Sequence, residues 1–231
     1  MDGFVLAGGQ STRMGVDKAR IPFPLDEPMA IATARILARV CERVFLVRRG
    51  PPDGLPWRLD GLDLEVIRDA GDDEQEAHPL HGVVAGLEAA RSRRAMFVPC
   101  DVPQLTEDDL RSLDIGGPCV ASDGQRRHPL VAVYPREWRS RAATFASEGR
   151  SVREFAADAE SVVMSADHLA NFNRWQDTGR KGPVRALLDR LAGLGDPEQI
   201  AAGELGRLAN EGVIDPEQAF RYARLRLGES P

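Results

Sequence analysis

Short, nearly unbroken apolar runs that alternate with helical segments predict an α/β layered fold with a mainly parallel sheet. Four such runs occupy residues 4–7, 44–47, 64–67 and 95–98. Between them, residues 29–41 and 82–94 have the spacing of helices. Strands covered by helices on both faces are apolar on both faces, so unbroken apolar runs favour parallel strands. Later runs at 119–121, 130–134 and 161–164 predict further strands, and 151–159 predicts a helix.

The composition divides the chain into a large domain and a short tail. With 231 residues, of which 42% are hydrophobic and 29% charged, the chain has the balance of a globular domain with an appendage. Gly and Lys/Arg residues at 179–183 suggest a linker. Asp-Pro-Glu at 196–198 and again at 215–217 is typical of helix starts. We therefore predict a domain at 1–178 and a helical C-terminal extension at 183–231.

Charge and cysteine usage exclude several classes of protein. The net charge is −6 and no Lys/Arg-rich block occurs, so a nucleic-acid partner is not expected. No apolar run reaches about 18 residues, and the N-terminus lacks the pattern of a signal peptide, so no membrane contact is expected. The three cysteines are odd in number and widely spaced, which argues against disulfides or a zinc site. We expect a cytoplasmic protein.

A glycine-rich loop after the first strand has the composition of a phosphate-binding loop. It reads Leu6-Ala7-Gly8-Gly9, followed by Gln-Ser-Thr and then Arg13, and it ends at Lys18. Glycines let backbone N–H groups approach a ligand, Arg can grip phosphate oxygens bidentately, and Lys supplies a point charge. Neither the Walker A nor the dinucleotide-binding glycine spacing is present. The alternative is a glycine-rich turn that only reverses the chain.

Two aspartates follow predicted strands and are candidate site residues. Asp101 follows the strand at 95–98, in Val-Pro-Cys-Asp-Val-Pro, and Asp69 follows the strand at 64–67. Ligands in parallel α/β sheets bind at the carboxyl ends of strands. A carboxylate there can hold Mg²⁺, or it can accept hydrogen bonds from a nucleobase. The alternatives are a helix cap or a loop aspartate with a structural role.

The loop at 6–18, together with Cys100-Asp101-Val102-Pro103, closely resembles the signatures of the molybdenum cofactor guanylyltransferases. The resemblance extends from about residue 4 to 173. It implies a Rossmann-like, three-layer nucleotidyltransferase domain. The residues to which the resemblance assigns roles are Leu6, Ala7, Gly8, Gly9, Lys18 and Asp69 at the nucleotide, Arg13 at its phosphates, and Asp101 at Mg²⁺.

The resemblance also implies a reaction. GMP would pass from GTP to the phosphate of molybdenum-bearing molybdopterin by an in-line displacement, with Mg²⁺ as cofactor and pyrophosphate as leaving group. The catalytic residues would be Arg13, Lys18 and Asp101, acting by positioning and charge neutralisation. The partners would be GTP, a molybdopterin-type acceptor and, through the C-terminal helices, a molybdoenzyme or delivery protein.

Departures from the family pattern leave alternatives open. Arg48 stands where an Asn that helps to read the base is usual, and Asp26-Glu27-Pro28 replaces Gly-Lys-Pro. Asn171-Phe172-Asn173 continues as Arg-Trp-Gln-Asp rather than Thr-Pro-Glu-Asp. The alternatives are cytidylyl transfer to molybdopterin, transfer to another phosphorylated small molecule, and a non-catalytic relative that binds nucleotide or cofactor.

Two further segments resemble the family pattern. His78-Pro79-Leu80-His81-Gly82 corresponds to Gly-Pro-Leu-Ala-Gly, with histidines in place of a glycine and an alanine. Two histidines three residues apart are weak evidence for a metal site. In the stretch 123–130, Arg126 and Arg127 would either meet the pterin phosphate or form a charged hairpin tip.

Overall fold

The computed structural model describes residues 1–8, 19, 29–49, 64–71 and 78–171. The strands are β1 (Asp2–Leu6), β2 (Arg43–Arg48), β3 (Leu64–Arg68), β4 (Arg94–Pro99), β5 (Cys119–Ser122), β6 (Arg127–Pro135) and β7 (Glu160–Val163). The helices are α1 (Met29–Leu37), α2 (Pro79–Ala89), α3 (Glu107–Ser112), α4 (Arg139–Ser147) and α5 (Val152–Phe155), with one 3₁₀ turn at Arg136–Trp138.

The seven strands form one sheet in the order β3-β2-β1-β4-β6-β5-β7. All neighbouring pairs are parallel except those of β6, which runs antiparallel to both β4 and β5. Because β6 is reversed, its first residues lie at the same edge of the sheet as the last residues of the parallel strands. The predicted mainly parallel sheet is confirmed.

Helices cover both faces of the sheet and give the predicted three layers. On one face, α1 and α3 pack against Val5, Leu46 and Met96. On the other, α2, α4 and α5 pack against the aromatic side chains of β1, β2, β4 and β6. In this second core Phe4 stacks on Phe45 and Phe97, with ring centroids 4.9 and 5.2 Å apart.

Helix α2 lies close to the sheet because Gly86 faces the aromatic stack. A Cβ at Gly86 would lie 2.5 Å from Cε1 of Phe97 and 3.1 Å from Cδ1 of Phe4, closer than carbon atoms can pack. This contact sets the depth of the whole helix. Because α2 follows the carboxyl end of the parallel strand β3, its first turn, at Pro79, lies at the carboxyl edge of the sheet.

Some predicted boundaries were wrong, and two helices were not predicted. Helix α2 begins at Pro79 rather than Gly82, because His78 caps it, and Arg94 belongs to β4. Helices α3 and α4 are short or weakly amphipathic, so their periodicity was not visible. The 179–183 linker and the extension at 183–231 lie outside the described residues, so the tail remains a prediction. Within the described segments, no helix is long and apolar enough to cross a membrane.

Candidate functional site

A cavity of about 730 Å³ opens at the carboxyl edge of the sheet. The described residues that line it come from the ends of β1, β3 and β4, the start of α2, the β5–β6 hairpin and the start of α5. They include Leu6, Ala7, Gly8, Asp69, His78, Gly82, Asp101, Arg126, Arg127, Ser151, Arg153 and Asn171. The cavity therefore brings together most of the described residues that the sequence singled out. Gly9, Arg13 and Lys18 lie outside the described residues, and their roles remain predictions.

The end of β1 is held between two neighbouring strands. The Ala7 N–H donates to the Val47 carbonyl (2.9 Å), and the Cys100 N–H donates to the Leu6 carbonyl (3.1 Å). Gly8 follows, and a Cβ there would lie 3.1 Å from Oδ2 of Asp69. A larger residue at this position would press on the Asp69 carboxylate, because the β1 loop and the β3 loop approach each other closely.

Asp69 is held by backbone hydrogen bonds at the end of β3. Its own N–H donates to the Arg48 carbonyl (2.8 Å), and its Oδ1 accepts from the Gly71 N–H (3.2 Å). Partial burial raises the pKa of Asp69, although the Gly71 hydrogen bond and nearby basic side chains oppose the rise. The carboxylate is therefore oriented towards Gly8 as a hydrogen-bond acceptor in a partly desolvated position.

Asp101 lies in the turn after β4 and is half-buried at the cavity, which Asn171 also lines. Carboxylate and amide oxygens suit Mg²⁺, which binds through one or two carboxylates and completes its shell with phosphate oxygens and water. Within the described segments, no group of three or more His, Cys, Asp or Glu could hold a metal. The donor set therefore fits an ion that shares its ligands with a substrate.

The two histidines of α2 have separate structural roles. His78 Nδ1 accepts from the Leu80 N–H (3.3 Å) and caps the helix, and its pKa is lowered by burial and by the adjacent His81. The His81 ring covers Gly71, where a Cβ would clash with His81 Nδ1. The Ala70 N–H also donates to the His81 carbonyl (3.2 Å). These contacts hold the loop that carries Asp69 against α2.

We expect Gly71→Ala to disturb Asp69 by displacing the His81 ring, and His81→Ala to relieve that clash. Overpacking of this kind costs about 1–3 kcal/mol of unfolding free energy. The loss of unfolding free energy in Gly71→Ala should be largely recovered in the double variant. Denaturant unfolding of all four proteins measures the coupling. Gly117→Ala is the control, because nothing lies within 4 Å of its Cβ position. Additive effects of the two changes would contradict the predicted contact.

The β5–β6 hairpin brings a basic segment to the other end of the cavity. Asp123 Oδ1 accepts from the N–H groups of Gln125 (2.8 Å) and Arg126 (2.7 Å), and its Oδ2 lies 3.3 Å from His128 Nε2. These hydrogen bonds lower the pKa of Asp123 to about 2. Gly124 has φ +86°, which this turn requires. Asp123 therefore shapes the turn that presents the Arg126 side chain.

The two arginines of this hairpin differ. The guanidinium of Arg127 donates to three carbonyls beyond the end of α5, those of Ala156 (3.0 Å), Ala157 (3.4 Å) and Ala159 (2.5 Å). Arg126 is exposed, and no hydrogen bond of its side chain is found among the described residues. Arg127 therefore has a structural role, which sequence reasoning did not assign to it.

Sequence reasoning also missed Ser151 and Arg153, which line the cavity at the start of α5. The sequence contained a signal for this helix start, a Ser followed three residues later by a Glu. In the structure Ser151 and Glu154 form a capping box, in which each side chain accepts a hydrogen bond from the other's backbone N–H. Arg48, by contrast, is not among the described residues that line the cavity. The Arg48 carbonyl accepts a hydrogen bond from the Asp69 N–H, so Arg48 contributes to the site through its backbone.

Comparison with known proteins identifies the family that this architecture resembles. The profile of the MobA-like NTP transferase domain matches residues 3–163. The molybdenum cofactor guanylyltransferase of Rhodobacter capsulatus is 32% identical over 184 residues, which cover 77% of this chain and 93% of that protein.

Two solved structures share the fold. Molybdopterin-guanine dinucleotide biosynthesis protein A from Archaeoglobus fulgidus matches with a TM-score of 0.59 and 14% identity, over 81% of this chain and all of that chain. A Mycobacterium tuberculosis protein solved as a complex with manganese matches with a TM-score of 0.51 and 21% identity, over 78% and 96% of the two chains.

Proposed function

Because the chain belongs to the family of MobA-like NTP transferase domains, we propose that it transfers GMP from GTP to the phosphate of molybdopterin and releases pyrophosphate. Membership of this family makes the chain a nucleotidyltransferase. The choice of GTP, the molybdopterin acceptor and the use of Mg²⁺ are our proposals. The curated relative named as a molybdenum cofactor guanylyltransferase supports the first two.

One observation carries the proposal: Asp101 lies in the same cavity as Gly8 and Asp69 on one side and the β5–β6 hairpin on the other. The sheet order places β4, which ends just before Asp101, between β1 and β6. A nucleotide on the β1–β3 side and an acceptor on the β6 side would therefore meet at Asp101. This arrangement supports direct transfer between two bound substrates.

In the proposed reaction, an acceptor phosphate oxygen attacks the α-phosphorus of GTP, and the bond to the β-phosphate oxygen breaks. Lys18 and Arg13 would bind the phosphates, as the family resemblance implies. Asp101, with Asn171 lining the same cavity, would hold Mg²⁺. A bound Mg²⁺ neutralises charge on the phosphates and on the leaving pyrophosphate. The protein relative solved with manganese supports a divalent ion at this fold.

Base recognition is proposed to rest on Asp69. Guanine offers two donors on one edge, N1–H and the exocyclic amine, and a carboxylate accepts both. The Gly71 hydrogen bond and the close contact with Gly8 support a fixed orientation of this carboxylate. Partial desolvation strengthens a hydrogen bond made there.

A second candidate is cytidylyl transfer to the same acceptor. Arg48 favours it, because the family's base-reading Asn is absent at that position and Arg48 contacts Asp69 through its backbone. Cytosine would present a different edge to Asp69, since it has one exocyclic amine and no N1–H donor.

The test compares GTP, CTP and ATP, each with Mg²⁺. A ligand present at a hundred times its dissociation constant stabilises the native state by about 2.7 kcal/mol, so GTP should raise the melting temperature most. Pyrophosphate release with molybdopterin present should likewise be fastest with GTP. A melting shift from CTP equal to or larger than that from GTP would remove the guanine assignment. Nucleotide binding without any pyrophosphate release would favour a non-catalytic role.

We further propose that residues 1–178 form the catalytic domain and that the extension at 183–231 is not needed to bind nucleotide. Each described candidate at the cavity precedes Phe172. The apolar stripes expected in the extension favour a contact with a molybdoenzyme or a delivery protein.

A further inference from the structure

Two segments that are distant in the sequence meet beside the cavity. The first, called the Asp101 loop here, is the stretch 100–106 between β4 and α3. The second, called the Asn171 segment, is the stretch 164–171 that follows β7. Asp101 and Asn171 line the same cavity. The relative position of the two segments therefore decides whether both side chains can reach one ion.

The two segments share one apolar core. The buried side chains that they contribute to it are Val102, Leu105, Met164 and Leu169. Apolar attraction depends on the area that is buried and has no direction. The shared core therefore holds the segments together but does not fix how far one slides along the other. A contact between polar groups is needed for that.

His168 and Asp109 make such a contact. Nδ1 of His168 lies 2.8 Å from Oδ2 of Asp109, which belongs to the first turn of α3. The same Oδ2 accepts hydrogen bonds from the N–H (2.9 Å) and the hydroxyl (2.6 Å) of Thr106, the last residue of the Asp101 loop. His168 lies three residues before Asn171. The Asp109 carboxylate thus joins the end of one segment to the other.

The His168 ring depends on this carboxylate. Nδ1 of His168 is buried, and it has no hydrogen-bond partner among the described residues. Its contact with Asp109 has the distance of an ion pair rather than the angles of a hydrogen bond. Burial of a polar nitrogen without any partner costs about 1–3 kcal/mol. The charge of Asp109 offsets that cost only while the Asn171 segment stays against α3.

We propose that His168 is a positioning residue that holds the Asn171 segment against the Asp101 loop through Asp109. This inference rests on the proposed function, in which Asp101 and Asn171 would hold Mg²⁺. His168 is not among the described residues that line the cavity, so it acts through these two. Mg²⁺ requires near-ideal octahedral geometry, with ligands at about 2.0–2.1 Å, so a small slide of either segment weakens its binding.

The first test measures the dissociation constant for GTP by calorimetry, with saturating Mg²⁺ and again with EDTA. In His168→Leu we expect the constant with Mg²⁺ to rise about tenfold, and the constant with EDTA to change less than about twofold. His168→Asn should recover most of the loss, because its amide nitrogen can take the place of Nδ1. Asp167→Asn, at an exposed neighbour on the same turn, is the matched control and should change neither constant. Equal changes in both constants of His168→Leu, or none, would overturn the proposal.

A second test separates this proposal from the proposed function. Hydrogen exchange of the backbone amides at 100–106 and 169–171, measured without any ligand, should be faster in His168→Leu than in the wild-type protein. It should return towards the wild-type rate in His168→Asn. Unchanged exchange in His168→Leu would overturn the proposal, whatever the calorimetry gives. If the wild-type protein binds GTP equally well with Mg²⁺ and with EDTA, faster exchange would still support the positioning role of His168, and the metal role of Asp101 in the proposed function would be wrong.

Discussion

Asp101→Asn is expected to abolish turnover and to leave the fold intact. The change preserves the size and shape of the side chain but removes the negative charge that would hold the metal, and an amide oxygen is a weaker ligand for Mg²⁺. Without the ion, the charge on the leaving pyrophosphate is not neutralised. We expect a loss of at least about a hundredfold in kcat, which corresponds to roughly 2.7 kcal/mol. Pyrophosphate release under saturating GTP and acceptor is the measurement, and chelation of the metal should reproduce the loss in the wild-type protein.

A structural role for Asp101 predicts the opposite pair of results, a lower melting temperature with normal activity per folded molecule. Asp108→Asn is a matched control, because this exposed carboxylate lies seven residues further along, in the first turn of α3. It should change neither turnover nor stability by much. A well-folded Asp101→Asn protein with near-normal turnover would refute the metal role.

Asp2→Ala is expected to cause the largest loss of stability. The carboxylate of Asp2 is fully buried, and it accepts hydrogen bonds from the Arg91 N–H (2.7 Å), the Ser92 N–H (2.9 Å) and the Arg43 guanidinium (2.7 and 3.0 Å). Removing one partner of a buried, hydrogen-bonded pair costs about 3–5 kcal/mol. For a chain of this length that lowers the melting temperature by roughly 6–20 °C. Denaturant unfolding provides the free energy.

The same carboxylate should make the free energy of unfolding depend on pH in the acid range. Burial alone would raise the pKa of Asp2, but the two backbone N–H groups and Arg43 outweigh it, so the pKa is lowered from 3.8. Because the pKa is lowered in the native state, the ionised Asp2 carboxylate contributes its full share of the unfolding free energy above about pH 4. It is lost as the pH falls through the still lower native pKa. Asp2→Ala should remove this part of the acid sensitivity, whereas Asp158→Ala, which breaks an exposed pair with Arg141, should cost under about 1 kcal/mol. Similar losses from both changes would contradict this account.

The parts of the fold that could be predicted from sequence are those with a strong local pattern. The strands β1, β2 and β4 were identified because their central residues are buried on both faces and form unbroken apolar runs. The reversed direction of β6 was not predicted, because strand direction depends on tertiary pairing rather than on local composition. The cap of α2 by His78 was missed because histidine is not among the residues that usually cap a helix.

In the candidate site, too, residues with a local sequence signal were found, and residues placed by contacts between distant segments were missed. Gly8, Asp69 and Asp101 were found because each lies just after a predicted strand, in segments that resemble the family signatures, and the structure places all three at one cavity. Arg153 was not found, because the chain approaches the cavity there from a short helix far along the sequence. The role of Arg127 at the carbonyls beyond α5 also depends on a contact between distant segments, which no local pattern reports.

The central position of β1 affects the order in which the chain can fold during synthesis. β1 pairs with β2 on one side and with β4 on the other, so Phe4 lies beside Phe45 and Phe97. At about 5–20 residues per second, the roughly 50 residues between the ends of β2 and β4 take about 3–10 s to emerge from the ribosome. During that interval one edge of β1, which is apolar from Phe4 to Leu6, has no partner, and such edges favour aggregation. Only when residues 94–99 have emerged can β4 pair with β1 and cover that edge.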